Sequence, residues 1–172
     1  LESLIRDSRP LYSQFGEFHV ATTDLAWHLD NGGKIGFWFY SGDYENKFVK
    51  KFQGQQYAYI GIDEITHCPY NKFKYLLTCN RNAHNIRNRF IGTCNPDPES
   101  WVRKFIDWWI GEDGDPIPER DCQKRYCFMD GDTVDTIYWG NTREEVYEQC
   151  KDIVDGLWEK SKKEYEEYGL DK

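Results

Sequence analysis

The chain has 172 residues, about one domain by length, and that is enough to bury a core without a disulfide or metal staple. Hydrophobic residues make up 39%, mean hydropathy is −0.83, and no run nears the roughly 18 apolar residues of a spanning helix, which excludes a helical membrane protein. The net charge of −8 comes from 30 acids and 22 bases, with 13 acids and 6 bases in residues 130–172, so most of the chain lacks a strong bias and the whole-surface basic footprint of a nucleic-acid coat is excluded.

Aliphatic residues are scarce, but aromatics at 17% supply enough apolar area to escape the disordered class. Residues 1–30 mix aromatics (Tyr12, Phe15, Phe18, Trp27) with Pro10 and carry no clear period. Asn31-Gly32-Gly33 is a turn signal, and Lys34 to Phe39 reads as a strand. Ser41 to Gln53 suggests a short helix from Tyr44, Phe48 and Phe52 at spacing four, with Gly54 as its stop. Tyr57 to Asp63 is apolar at both parities, as in a strand covered on two faces.

Tyr70 to Asn80 predicts a helix carrying Phe73, Leu76 and Leu77, and a basic loop follows. Phe90 to Cys94 is a second apolar strand, stopped by Asn95-Pro96. Asp97-Pro98 fits a helix start, and Trp101, Val102, Phe105, Ile106, Trp108 and Trp109 extend that helix to about Ile110. Lys124 to Phe128 and Thr133 to Trp139 predict a hairpin across Asp130-Gly131-Asp132. Thr142-x-x-Glu145 is a capping box that opens a long helix with Val146, Cys150, Ile153, Val154, Leu157 and Trp158 at helical spacing. Strands alternating with helices predict an α/β three-layer sheet.

Six cysteines lie far apart without a Cys-x2-Cys pair, and the chain opens on Leu1 with no charged-then-apolar leader. Reduced, buried thiols in a cytoplasmic protein are expected, and the chain is expected to begin inside a longer gene product. A zinc site on His67, Cys68, Cys79 and His84 is an alternative, although structural zinc favours tighter paired spacing.

The sharpest chemical signal is the apolar strand that ends in Asp63-Glu64. Open α/β sheets place ligands at the carboxyl ends of their strands. There one acid can hold a Mg²⁺ shell and the next can polarise an attacking water; two solvated acids at a strand end are the plainer alternative. Thr93 and Asn95 end the next apolar strand with a hydroxyl and an amide, both able to bond a phosphate oxygen or the lytic water. For Asn95 a simple turn is an equal alternative. Arg81, His84, Arg87 and Arg89 cluster in the basic loop. They read either as a phosphate contact, to DNA or to ATP in a neighbouring subunit, or as a solvated loop.

From Asn31 to Glu148 the chain resembles the large terminase subunit of tailed bacteriophages. The resemblance is carried by Gly33-Lys34-Ile35 with Phe37, Lys51-x-Gln53-Gly54, and Tyr59-Ile60-Gly61-Ile62-Asp63-Glu64-Ile65-Thr66, which is similar to the family's Walker B strand. Gly92-Thr93-Cys94-Asn95-Pro96-Asp97-Pro98 with Trp101-Val102 is similar to its coupling motif. Gly114 to Arg120, Arg125-Tyr126 and Trp139-Gly140 match the later pattern in the same order.

The resemblance implies an incomplete P-loop NTPase-like sheet, with Asp63 on Mg²⁺, Glu64 as catalytic base, and Thr93 and Asn95 as the nucleotide-coupling element. It implies ATP and Mg²⁺ as cofactors of the complete protein, and double-stranded DNA, portal and small terminase as partners. A homo-oligomeric ring in the cytoplasm of the bacterial host, with no membrane role, is also implied, as is a nuclease in the parent. Gly33-Lys34 is followed by Ile35, so no Gly-x4-Gly-Lys-Ser/Thr phosphate loop occurs. By resemblance that loop precedes Leu1, and the nuclease domain follows the region seen here, since nothing after Trp139 supplies its cluster of metal-binding acids; this chain alone is therefore expected to be inactive. The expected division is residues 1–141, the distal part of the ATPase domain, and residues 142–172, an acidic helix packed on it or extending from it. A non-catalytic remnant serving as an interaction domain, and a helicase-like DNA-dependent ATPase, are the rival readings.

Overall fold

A computed structural model describes residues 1–21, 24–39, 45–95, 97–121, 123–131 and 134–167. Residues 41–44, Pro96, Cys122, Asp132, Thr133 and residues 168–172 of the expected elements lie outside those residues. The chain divides into two compact units, Leu1–Phe48 and Val49–Lys172.

The first unit holds helix α1 (Glu2–Tyr12) and three strands, β1 (Gly16–Ala21), β2 (Asp24–Leu29) and β3 (Lys34–Gly36). They form an antiparallel sheet in the order β1-β2-β3, where Phe18 opposes Trp27 and Trp27 opposes Ile35. This register puts the aromatic residues on one face. Trp27 is buried, its ring lies 5.1 Å from Phe18 and 6.2 Å from Tyr12, and its indole N–H donates to the Ser8 hydroxyl at 2.9 Å. That bond satisfies both buried polar groups where the helix meets the sheet. The turn at Asn31 is as expected: Gly32 has φ +81°, and the Asn31 side chain accepts from the Gly33 N–H at 2.9 Å.

Helix α2 (Glu45–Phe52) runs across the division between the units. In the second unit β4 (Tyr59–Ile62) and β5 (Arg89–Gly92) pair in parallel, Tyr59 with Arg89 through Ile62 with Gly92. Helix α3 (Tyr70–Cys79) makes the crossover that a parallel pair requires. After it come the short α4 (Val102–Ile106), the antiparallel pair β6 (Tyr126–Met129) and β7 (Ile137–Gly140), and α5 (Arg143–Glu167).

Phe73 of α3 is the hub of the core. Its ring lies 4.7 Å from Trp101, 5.2 Å from Phe90 and 5.6 Å from Phe105, and Phe105 in turn stands edge-on to Trp139 at 5.2 Å. The Phe73–Trp101 pair is tilted and the others are edge-to-face, and aromatic pairs add about 0.5–1.5 kcal/mol each beyond area burial. The Trp101 indole N–H donates to the Cys68 carbonyl at 2.7 Å and ties α4 to the turn before α3.

Three expectations are corrected. The three-layer sheet does not form among the described residues, where the parallel sheet has two strands. Its strands are covered on one face only: Ile62 and Phe90 pack on the Phe73 cluster, while Tyr59 is 58% and Ile91 44% exposed. The helix expected to reach Ile110 ends at Ile106 and tightens into a 3-10 turn over Asp107–Trp109. In α5, Val146 and Cys150 are buried, but Cys150 breaks the helical dihedrals at φ −125°, ψ 20°. Leu157 and Trp158 beyond that kink are exposed. The capping box forms, with the Glu145 N–H donating to the Thr142 hydroxyl at 3.1 Å and the Glu145 carboxylate accepting from the Asn141 N–H at 2.7 Å.

Gly92 has a steric duty. A Cβ there would stand 2.6 Å from Cδ1, 3.0 Å from Cγ2 and 3.1 Å from Cβ of the buried Ile65, and the last of these is fixed by the backbone and cannot swing away. Gly92→Ala is therefore expected to cost about 1–3 kcal/mol, read as a lower urea midpoint at unchanged m-value. Wild-type stability in that variant would mean that Ile65 does not seat against β5.

Candidate active site

β4 and β5 end side by side, so their parallel register sets Asp63 beside Thr93, 30 residues apart in sequence. The Thr93 hydroxyl donates to Asp63 Oδ1 at 2.7 Å, and the Asn95 amide donates to Glu64 Oε1 at 3.5 Å. The four residues singled out for the phosphate chemistry thus meet at the carboxyl ends of the two strands.

The main chain holds this arrangement. The Thr93 N–H donates to the Ile62 carbonyl and the Ile65 N–H donates to the Thr93 carbonyl, each at 2.9 Å, which extends the ladder past the last strand residues. Glu64 has left-handed dihedrals, φ 54°, ψ 54°. Such a conformation costs a non-glycine residue about 1–3 kcal/mol and persists only where its surroundings hold it. Here it turns the chain sharply into a 3-10 turn over Ile65–His67, and Ile65 drops into the core one residue after the carboxylate. Asp63, Thr93 and Asn95 are exposed, and Glu64 is half-buried.

The donor set is all oxygen and amide, which suits a hard cation. Thr93 donates to Oδ1 of Asp63, and the Asp63 residue is exposed at the strand end. Mg²⁺ is characteristically held by one or two carboxylates with waters and substrate phosphates, so Asp63 fits that role without a protein cage. Among the described residues no group of three His, Cys, Asp or Glu side chains could hold a metal alone.

The alternative zinc set is not brought together. Cys68 lies in the Phe73 cluster with its thiol donating to the Pro69 carbonyl, while Cys79 faces the Phe52 carbonyl. His84 sits in an exposed loop. Burial pushes the Cys68 thiol up, and nearby Lys72 offsets part of that rise.

Arg81, His84, Arg87 and Arg89 lie at the other end of the sheet. Arg89 opens β5 and the rest precede it, whereas Thr93 and Asn95 follow it. They are therefore not part of the Asp63–Glu64 site of the same chain. Sequence reading missed two residues that shape these ends: Gly92, described above, and Asn80, whose amide donates to the carbonyls of Tyr57, Ala58 and Arg89. An asparagine directly before a basic loop was the available signal.

A family model described as "Terminase large subunit, T4likevirus-type, N-terminal" matches residues 12–164. The chain belongs to the terminase large subunit family. Neither a curated protein nor a solved structure matches it. The family assignment ties this terminase chain to phage DNA packaging, and none of the helices among its described residues is long and apolar enough to cross a membrane.

Cys94 lies exposed between Thr93 and Asn95 and reports on the site, whereas Cys68, Cys79 and Cys150 are buried. Iodoacetamide at pH 8 is expected to label Cys94 at least tenfold faster than those three, as followed by peptide mass spectrometry. Equal rates would mean that the Phe73 core opens readily.

Proposed function

We propose that this terminase chain supplies the hydrolytic and coupling half of an ATP-driven motor that translocates double-stranded DNA. The observation that supports the reading is the register of β4 and β5, which sets Asp63 against Thr93 and Glu64 near Asn95. In this reading Asp63 would hold the water shell of Mg²⁺, and the ion would supply positive charge to offset that of the phosphates. Glu64 orients the attacking water and accepts its proton as the oxygen closes on the γ-phosphorus and the bond to ADP breaks. Thr93 and Asn95 contact the γ-phosphate or the lytic water and pass its loss into β5, whose far face packs on Phe73.

The same reading makes the acting unit a homo-oligomeric ring in the cytoplasm of the bacterial host, working with portal and small terminase, and assigns DNA cleavage to a separate nuclease region. The acids of α5, Glu144, Glu145, Glu148, Asp152, Asp155 and Glu159, are all exposed and read as the solvated face of that helix.

In the packaging protein that contains this chain, Glu64→Gln is expected to lower ATP turnover by about 10²–10⁴-fold while nucleotide binding persists. Turnover that survives the change would remove Glu64 from the chemistry. The 172-residue chain alone holds no Gly-x4-Gly-Lys-Ser/Thr loop to cradle phosphates and is expected to show no Mg·ATP turnover above background. Turnover by the isolated chain that Glu64→Gln abolishes would show that the phosphates are held by other groups.

A further inference from the structure

The crossover from β4 to β5 has an unusual charge. Residues 65–96 contain Lys72, Lys74, Arg81, Arg87 and Arg89 and not one acid. At the chain's average of 30 acids in 172 residues, a stretch of 32 would carry between about five and six. Two of the cations are engaged in the fold: Lys72 is buried, and the Lys74 ammonium donates to the Gly131 carbonyl. The other three, with His84, are exposed around the loop between α3 and β5. Among the described residues no carboxylate forms an ion pair with Arg81, Arg87 or Arg89.

That loop is built, not slack. The Asn82 side chain uses all four of its hydrogen-bonding positions. Its Nδ2 donates to the Ile86 carbonyl at 2.8 Å and to Asn88 Oδ1 at 2.5 Å, and its Oδ1 accepts from the His84 and Ile86 N–H groups at 2.9 and 3.2 Å. Asn85 takes the left-handed conformation, φ 56°, which asparagine tolerates better than most residues. The turn lifts Ile86 to 57% exposure between His84 and Arg87. A merely solvated loop has no need of such ordering. A surface that must present guanidinium groups without losing further entropy on contact does.

We propose that the Asn82-organised loop is a contact for the phosphate backbone of double-stranded DNA, with Arg81 and Arg87 as the principal ligands. The proposal rests on the DNA-translocating reading above and adds a location: the end of the parallel sheet opposite the Asp63–Glu64 site. A four-residue strand, about 10–13 Å, separates the two. Guanidinium groups bind phosphate bidentately, and none of these groups can read a base edge at this exposed turn without entering a groove, so sequence-tolerant binding follows. A local cluster of cations also explains how a chain of net charge −8 can approach DNA: the excess of acids over bases lies mainly in residues 130–172, with 13 acids and 6 bases, away from the loop in sequence.

The test is fluorescence anisotropy of the 172-residue chain with two labelled 30-bp duplexes of unrelated sequence, at about 50–200 mM KCl. The wild type is expected to bind both alike, with log Kobs falling linearly in log[KCl]. Arg81→Gln with Arg87→Gln is expected to weaken binding and flatten that slope by about 1.8, about 0.9 for each phosphate contact removed. Asn82→Ala, which changes no charge, is expected to weaken binding severalfold at fixed salt. Circular dichroism melts of both variants confirm that the fold survives. Binding with an unchanged slope in the double variant overturns this proposal and leaves the DNA-translocating reading standing. No binding by the wild type at 50 mM counts against both. If the double variant instead abolishes a concentration-dependent oligomer in sedimentation, with the DNA slope unchanged, the patch is a protein interface and the proposal fails.

Discussion

The parallel pairing of β4 with β5 is the constraint on which the second unit depends. Four residue pairs make a short ladder, and parallel bonds are slightly weaker than antiparallel ones. The pair persists because side chains hold its ends and its face. At the amino end one asparagine amide, that of Asn80, is shared among the Tyr57, Ala58 and Arg89 carbonyls. At the carboxyl end Ile65 closes on Gly92, and its N–H continues the ladder to Thr93. Across the face Phe73 joins Phe90 to Trp101 and Phe105, so α3, α4 and β5 stand or fall together.

That pairing also gives the sheet a chemical polarity. Parallel strands place all their carboxyl ends together and all their amino ends together, so one edge collects the residues after Ile62 and Gly92 and the other those before Tyr59 and Arg89. The first group is Asp63, Glu64, Thr93 and Asn95; the second is the arginine-bearing loop. Opposite chemistry is kept at opposite ends by topology alone. The net charge of −8 hides this separation because most of it comes from residues 130–172, with 13 acids against 6 bases.

What could be read from sequence was local. Tyr70–Cys79, the pair Tyr126–Met129 with Ile137–Gly140, and the Thr142–Glu145 box were legible because their signals lie within a few residues of each other. The first 30 residues were not, since Glu17-Phe18-His19-Val20 alternates over only four residues and Leu25-Ala26-Trp27 is an apolar run without alternation. An apolar run at both parities suggested cover on both faces of β4, yet hydrophobicity reports which side chains prefer burial and not how many layers are present to bury them. The helix expected to reach Ile110 stops at Ile106 because Trp108 and Trp109 are drawn into a 3-10 turn, where the Trp109 indole N–H meets Asp121 Oδ1 at 2.6 Å. At the site, the residue types were legible, while the partnership of Asp63 with Thr93 waited on the register.

The site's geometry owes little to its own side-chain bonds. The Thr93–Asp63 hydrogen bond is exposed, and a bond of that kind contributes about 0.5–1.5 kcal/mol at most against competing water. The Asn95–Glu64 contact, at 3.5 Å, is weaker still. Neither could fix a carboxylate within the fraction of an ångström that catalysis asks for. The fixed elements are backbone: the left-handed Glu64, the absent Cβ at Gly92, and two main-chain bonds that cross from Ile62 and Ile65 to Thr93. The carboxylates are thus aimed by the chain's path, and their side-chain bonds are weak enough to be exchanged for a phosphate oxygen or a metal-bound water without loss of the frame that holds them.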